Sequence, residues 1–497
     1  MAVKTIVGFD CGNSSYRVVL GKYDGYRIIT EVIDQIPNDM VKVGDYYYWN
    51  ILKIFSDFKM ILKKLVRRGE KIDSIGICTW GVDFALFDKM GNMLNNPLSY
   101  RNLFGEVHLS KLTEQDKNEM FHNTGILCDK INSIYLLEGM KEKMPEIYKA
   151  ADKLLMIPDI LNYMLTSKML NEPSEFSTSQ IMNVNSRSVS ELVCQRMNIS
   201  NELFSNIGKH GDLIGYLQND IKEEIGADYD IPVICVPSHD TAAAVLAVPA
   251  TENNFAFISS GTWALVGTEL NKPILSDEIY QSTLTNELGA FDTITLLKNG
   301  TGMFIIQRIK KEYEIDGKKD ITWSDMVELS NNYRGDRIPL INVNNIRFFN
   351  PRQMGREVWN YLKETNQVEG DFSWSTVVRA VYESMACSYA ITIHDTQKVT
   401  KENFDYIYIV GGGAKNEVVN QMTANCTGKK VIACFGESTA MGNIAAQLKF
   451  FDNSLDLKSI REVVKHSVDT KTYTTNMDAS YLLDNYKELL EKELMME

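Results

Sequence analysis

The chain has 497 residues, 44% of them hydrophobic, enough for real cores in at least two domains at the usual ~100–200 residues per domain. With 52 basic against 65 acidic residues the formal net charge is −13, so nucleic acid and anionic membrane surfaces are repelled on average, and neither is expected as a partner. A small anionic ligand stays open, because loops and backbone dipoles bind phosphate whatever the net charge. The eight cysteines are scattered without a C-x-x-C pair, a pattern of reduced thiols. The opening "MAVKTIVGFD" passes straight into a strand pattern, and no stretch approaches the ~20 apolar residues of a membrane span. A cytoplasmic location is the expectation.

In chain order, "TIVGFD" reads as a strand ending in Asp10, "CGNSS" as a turn and "YRVVLGKY" as the returning strand. In such a turn Gly lets the backbone bend so that successive N–H groups face one anion, and the Ser hydroxyls add donors. A plain hairpin is the other use of the same residues. "IDSIGIC" (72–78) is a further strand that opens into "TWGVDFALFD", with Trp80 and Asp83 in the turn. A Trp face covers the C–H surface of a sugar and an Asp accepts from its hydroxyls; the alternative is a core Trp and a turn Asp. "IPDILNYMLT" has helical spacing and leads into a polar loop.

"IPVICV" (231–236) then reads as a buried strand and "TAAAVLAV" as a helix, leaving Pro237 to Asp240 as the turn between them. Taken alone, Asp240 reads as the N-cap of that helix. Ser238, His239 and Asp240 do not form a catalytic triad, since three neighbours in one turn do not converge as nucleophile, base and orienting acid.

About half a chain after the first hairpin, "NFAFIS", "SGTW" and "ALVGTEL" repeat its grammar, so two halves of similar plan are expected, and two such turns grip a polyphosphate better than one. Segments 353–365 and 374–397 have helical spacing, and the second "HDT" (394–396) reads as surface at a helix end. In "FDYIYIVGGGAKN" three glycines join a strand to a helix, where a flat ring or a phosphate can approach the backbone. The G-x-G-x-x-G spacing is absent, which disfavours NAD. His108, His122, His210 and His466 show no paired spacing, so no zinc site is expected. The last segment, "YLLDNYKELLEKELMME", reads as an amphipathic helix.

Taken together, "DCGNSS", "GVDFALFD", "IPDILNYMLT", "PSHDTAAAV", "ISSGTW", "LKNGTG" and "GGGAKN" fall in the order found in sugar kinases of the FGGY family, and the chain resembles that family from residue 4 to about residue 450. Within it, "TWGVDF", "SHDTA" and "SSGTW" look most like the branch that phosphorylates L-rhamnulose. The resemblance implies an α/β fold of two ribonuclease-H-like, actin-like ATPase domains with a ligand cleft between them. These are expected at 1–245 and 246–497, with the last helix packing back on the first domain. It implies ATP and Mg²⁺ as cofactors. Asn13, Ser14, Ser15, Tyr16, Arg17 and Thr262 are implied at the ATP phosphates, and Gln307, Gly411 and Gly412 at the rest of the nucleotide. Gly81, His239, Thr241 and Asn299, beside Trp80 and Asp83, are implied at the sugar, with Asp240 as general base and Asp10 organising Mg²⁺ through water. The implied acceptor is the 1-hydroxyl of L-rhamnulose; L-fuculose, D-xylulose or a polyol is the alternative, and an actin-like nucleotide switch is the reading from another class. Tyr16 and Leu288 stand where the family usually has Gly.

Overall fold

Strands Lys4–Cys11 and Ser15–Tyr23 pair antiparallel, and Lys4–Cys11 runs parallel to Ser74–Thr79 on its other side. A strand flanked in this way is buried on both faces, and "TIVGFDC" is a near-continuous apolar run with no exposed residue. The computed structural model describes residues 2–495 except 103, 253, 318 and 350, so the end of the C-terminal segment, 496–497, lies outside the described residues. The chain forms two compact units.

In the first unit six strands lie in the order Leu213–Tyr216, Pro232–Ile234, Ser74–Thr79, Lys4–Cys11, Ser15–Tyr23, Ile28–Pro37. Helix Ile51–Arg67, capped by the Asn50 side chain on Lys53 N–H, buries Ile54, Phe58, Ile61, Leu62 and Leu65 in the same core as the first two strands. Helix Ser438–Phe451 packs on the strands through glycines. A Cβ on Gly8 would lie 3.1 Å from Ile444 Cγ1, and one on Gly76 only 2.4 Å from Asn443 Oδ1. Strand glycines of this kind mark close approach of another element.

The second unit repeats the plan. Strands Ile294–Thr301, Trp263–Leu270, Phe255–Ser260, Tyr406–Val410, Lys430–Cys434 and Thr470–Tyr473 lie in that order. Phe255–Ser260 is antiparallel to Trp263–Leu270 and parallel to Tyr406–Val410, as Lys4–Cys11 is to its two neighbours. The repeated hairpins are therefore the visible part of a repeated sheet.

The compact units are interleaved along the chain. The first comprises 1–251, 269–296 and 437–468, and the second 252–268, 297–436 and 469–497. The last helix, Ser480–Leu494, buries Leu482 and Tyr486 with Ala386, Cys387 and Cys426 of its own unit; the segment that returns to the first unit is 437–468. Buried Arg461 anchors that return, donating to both carboxylate oxygens of Glu269 at 2.7 and 2.9 Å. The second "HDT" lies inside helix Trp374–Thr400, with His394 exposed and Thr396 turned inward. All eight cysteines are free thiols. Among the described residues no helix is long and apolar enough to cross a membrane.

Candidate active site

Three chain segments of the first unit meet beyond the carboxyl ends of its parallel strands, where α/β sheets place ligands. Asp10 is the penultimate residue of strand Lys4–Cys11, Trp80 and Gly81 follow Ser74–Thr79, and Ser238 to Asp240 follow Pro232–Ile234. Hydrogen bonds hold the segments together: Thr79 N–H donates to Ser238 O at 2.7 Å and Trp80 N–H to Cys11 O at 3.1 Å.

Asp240 is the first residue of helix Asp240–Leu246, and His239 occupies the N-cap without a side-chain capping bond. The N-cap position read for Asp240 thus falls on His239, whose side chain does not fill the capping role. Asp240 Oδ1 instead accepts from the Thr241 hydroxyl at 3.3 Å and lies 3.6 Å from His239 Nε2. The Asp240 side chain stays 37% exposed while that of His239 is 10% exposed, so Asp240 is the group a ligand can reach. Burial raises the Asp240 carboxyl above 3.8 and Glu287 adds to this, while the His239 charge and the Thr241 bonds work against it.

His239 is held from two directions. Its Nδ1 is 3.2 Å from Glu287 Oε2, an ion pair without hydrogen-bond alignment, and its backbone N–H donates to Ser174 Oγ at 3.1 Å. Burial alone would lower the imidazole; Glu287, followed by Asp240 and Glu172, overrides it and lifts the group from 6.5 to about 9. The ring is therefore a cation at neutral pH. A proton bound more tightly in the folded than in the unfolded chain stabilises fully below pH 6.5, and that contribution is lost as pH rises through about 9. Glu287→Gln is accordingly expected to lower the melting temperature at pH 6 and to converge on wild type above pH 9; a difference that grows with pH would contradict the pairing.

Gly81 lies beside the His239 ring, where a Cβ would stand 3.2 Å from His239 Nε2 and from Thr178 Oγ1. The next residue, Val82, has φ 69°, a strained region for a β-branched side chain, and its N–H is bonded by Thr178 Oγ1 at 3.1 Å. Trp80 and Asp83 do not present themselves as the sequence reading expected. The Trp80 ring packs on Trp49 with centroids 4.3 Å apart. Fully buried Asp83 accepts from Trp49 Nε1 at 2.6 Å and Trp80 Nε1 at 2.9 Å. Burial raises its carboxyl to about 7 against those donors. In this structure the two residues brace the turn under Gly81 from within the core.

Cross-strand register sets the side chains around the first hairpin turn. Asp10 faces Arg17, and Cys11 faces Tyr16; since successive side chains alternate, Asp10 and Arg17 share one face and Tyr16 takes the other. Arg17 Nε is 3.6 Å from Asp10 Oδ2, and Arg17 also pairs with Glu437. Burial raises Asp10 to about 7, opposed by Arg17 and reinforced by Asp240 and Glu437. The Tyr16 ring is 1% exposed. Its hydroxyl bonds Asp57 and accepts from Lys53 Nζ at 2.9 Å, while burial and then Asp57 push the phenol up to about 12. Its side chain points away from the turn and leaves only its backbone for a ligand. Asn13, Ser14 and Ser15 form the turn itself, closed by Gly12 N–H to Ser15 O at 2.9 Å.

In the second unit the matching turn is closed by Gly261 N–H to Trp263 O at 2.9 Å and by Met303 N–H to Gly261 O at 2.8 Å, with Thr262 exposed. Gly411 (φ 82°) and Gly413 press on Ser260, where added Cβ atoms would fall 2.9 Å from Ser260 O and 2.0 Å from Ser260 Oγ; above Gly412 nothing lies within 4 Å. Two of the three glycines thus serve packing, and the middle one leaves an open backbone surface. Asn299 and Gln307 are exposed on strand Ile294–Thr301 and helix Phe304–Gly317 of this unit.

Residues 5–247 match the FGGY family of carbohydrate kinases, N-terminal domain, and residues 256–449 match its C-terminal domain. The chain belongs to the FGGY family of carbohydrate kinases. This FGGY kinase is 34% identical over 466 residues to a rhamnulokinase of Oceanobacillus iheyensis, covering 93% of this chain and 97% of that protein. It is 33% identical over 481 residues to a rhamnulokinase of Bacteroides thetaiotaomicron, covering 95% and 97%. Among solved structures its fold resembles gluconate kinase from Lactobacillus acidophilus, with TM-score 0.79 at 16% identity over 100% and 98% of the two chains. It also resembles Plasmodium falciparum glycerol kinase with ADP, with TM-score 0.80 at 14% identity over 99% and 98%. As a member of this family the chain is a sugar phosphotransferase that uses ATP.

The sequence reading of this FGGY kinase missed Glu287, Ser174 and Thr178. Glu287 lies 48 positions after His239 and Ser174 lies 65 before it, and no local pattern marks either. Leu288, one of the departures from the family pattern, is a core residue, and its N–H donates to Ser177 Oγ at 3.0 Å.

Proposed function

We propose that the chain transfers the γ-phosphoryl group of ATP to the 1-hydroxyl of L-rhamnulose, with Asp240 as general base. The observation that carries the base assignment is the partly open Asp240 carboxylate standing against a protonated His239 beside Gly81. Similarity to rhamnulokinases at 32–34% identity over nearly the whole chain supports the acceptor.

Phosphoryl transfer passes through a loose transition state that asks for positioning and charge neutralisation more than for covalent chemistry. Asp240 accepts the hydroxyl proton as the hydroxyl oxygen attacks phosphorus. The His239 charge opposes the upward shift that burial imposes on the Asp240 carboxyl, and the start of the helix behind it works in the same direction. Gly81, His239, Thr241 and Asn299 are assigned to the sugar; Asn13 to Arg17, Thr262, Gln307, Gly411 and Gly412 to the nucleotide. Asp10 fits a magnesium ion that arrives with ATP: Mg²⁺ takes one or two carboxylates together with phosphate oxygens and water. Among the described residues no group of three or more His, Cys, Asp or Glu converges into a metal site of its own. Bound there, the ion would neutralise phosphate charge.

A coupled ADP-release assay over L-rhamnulose, L-fuculose, D-xylulose and simple polyols is expected to give the highest kcat/KM with L-rhamnulose and little ADP without sugar. A higher value with another acceptor would reassign the substrate, and fast sugar-independent ATPase would count against the reaction itself.

A further inference from the structure

Behind His239 runs a chain of buried hydrogen bonds with no part in the chemistry above. Ser174 Oγ, which receives the His239 backbone N–H, donates to the Glu172 carboxylate at 2.8 to 2.9 Å. Glu172 also accepts from Ser174 N–H at 3.0 Å and Glu175 N–H at 2.7 Å, and it is fully buried. Its Oε1 meets His210 Nε2, and His210 is 6% exposed. On the far side of that ring the Phe291 backbone N–H points at His210 Nδ1 from 3.0 Å.

This last bond determines the tautomer. A backbone N–H only donates, so Nδ1 carries the lone pair, Nε2 carries the proton, and the ring is neutral while donating to Glu172. Phe291 belongs to a tight turn with φ 48° at Phe291 and 72° at Asp292, a conformation that persists only where its surroundings hold it. Arg187 holds the turn from outside, pairing with the Asp292 carboxylate and donating to Asp292 O at 2.6 Å. Glu287, the ion-pair partner of the His239 ring, lies four residues before Phe291. His210 thus joins the two structures that hold His239, one by its backbone and one by its ring.

We propose that His210 is a positioning residue of the kinase reaction: as the Nε2–H tautomer it ties the Glu172–Ser174 branch to the Phe291 turn, and through His239 it sets where the Asp240 carboxylate stands. The inference rests on Asp240 being the base. A histidine suits the task because one rigid ring offers a donor and an acceptor on opposite sides, which neither side-chain amide reproduces. Gln reaches the Nε2 position and keeps the bond to Glu172 but leaves Phe291 N–H unmet. Asn supplies an acceptor near the Nδ1 position but falls short of Glu172.

The test uses full-length protein labelled at histidine ¹³Cε1, with steady-state kinetics on L-rhamnulose and ATP. The charged groups facing His239 are Glu287, Asp240 and Glu172; His210→Gln keeps the bond to Glu172, so on this proposal the loss reaches the His239 ring through Glu287. His210→Gln is expected to move the His239 titration down toward 6.5 and to lower kcat by about 10-fold with KM for ATP unchanged, a loss in the range of a sub-ångström misplacement. His210→Asn is expected to keep the His239 titration near wild type with a similar fall in kcat. Ser174→Ala cuts the backbone branch without touching His210 and is expected to lower kcat likewise, with Ser174→Thr restoring it; this pair carries the test should the His210 variants not fold. Unchanged His239 titration in His210→Gln, kcat within twofold of wild type, or a loss shared by kcat and KM for ATP in step with thermal stability would each overturn the proposal. The titration reads the linkage even should wild type phosphorylate no sugar, so failure of the base assignment and failure of the positioning role are told apart.

Discussion

Asp240→Asn is expected to lower kcat for sugar phosphorylation by about 10²–10⁴-fold, the usual contribution of a general base, while the protein stays folded. Asn matches Asp in shape, and its amide oxygen can still accept from Thr241 Oγ1, which lies 3.3 Å from Asp240 Oδ1. The substitution also removes a negative charge from a setting that already holds Glu287 and Asp10, since Asp240 is among the causes that raise the Asp10 carboxyl to about 7. The Asp10 carboxyl should therefore titrate lower in the variant, and melting temperature should not fall. In wild type the rate should rise with pH through the Asp240 ionisation, which lies above 3.8, because only the carboxylate accepts a proton. Coupled ADP release and thermal melts on the same preparations check these points. Activity within tenfold of wild type would remove Asp240 from the role of base.

Gly442→Ala is expected to damage the enzyme through packing alone. Helix Asp240–Leu246 buries Thr241 to Leu246, and Gly442 in helix Ser438–Phe451 meets it so closely that an added Cβ would fall 1.8 Å from Ala243 O and 2.6 Å from Ala243 C. Both atoms are backbone, so no rotamer change relieves the clash and the helices must move apart. Overpacking of this kind costs about 1–3 kcal/mol. Because the displaced helix begins with Asp240, a shift near 1 Å should also lower kcat by up to about 10²-fold. Gly317→Ala serves as the control, since an added Cβ there meets nothing within 4 Å and should leave stability and kcat unchanged. A melting temperature for Gly442→Ala equal to wild type would show that the helices yield without cost.

The small residues after Asp240 illustrate how far local reading reaches. "TAAAV" is visibly a helix that something approaches, and the structure supplies Gly442 of its own unit as the approaching backbone. Tyr16 shows the same limit from another side. Its position in the turn was readable, but that an aromatic ring fits there depends on strand alternation and on Asp57 and Lys53, some 40 residues away. For Trp80 and Asp83 the residue types fit a sugar contact, yet Trp49 from a distant segment covers one and bonds the other.

What the chain determined by itself is whatever short-range physics writes into neighbours. Alternating or continuous apolar runs mark strands, glycines and hydroxyls mark the two hairpin turns, and a strand, turn and small-residue helix mark the place of Asp240. Tertiary structure alone decided the unit boundaries, the burial of Trp80 and Asp83, and the partners Glu287 and Ser174 that meet His239. Those depend on which distant segments pack together, and the neighbours so assembled then set the charge state: the same imidazole, ordinarily near 6.5, holds its proton to about 9 against burial, chiefly because a carboxylate 48 residues away is packed against it.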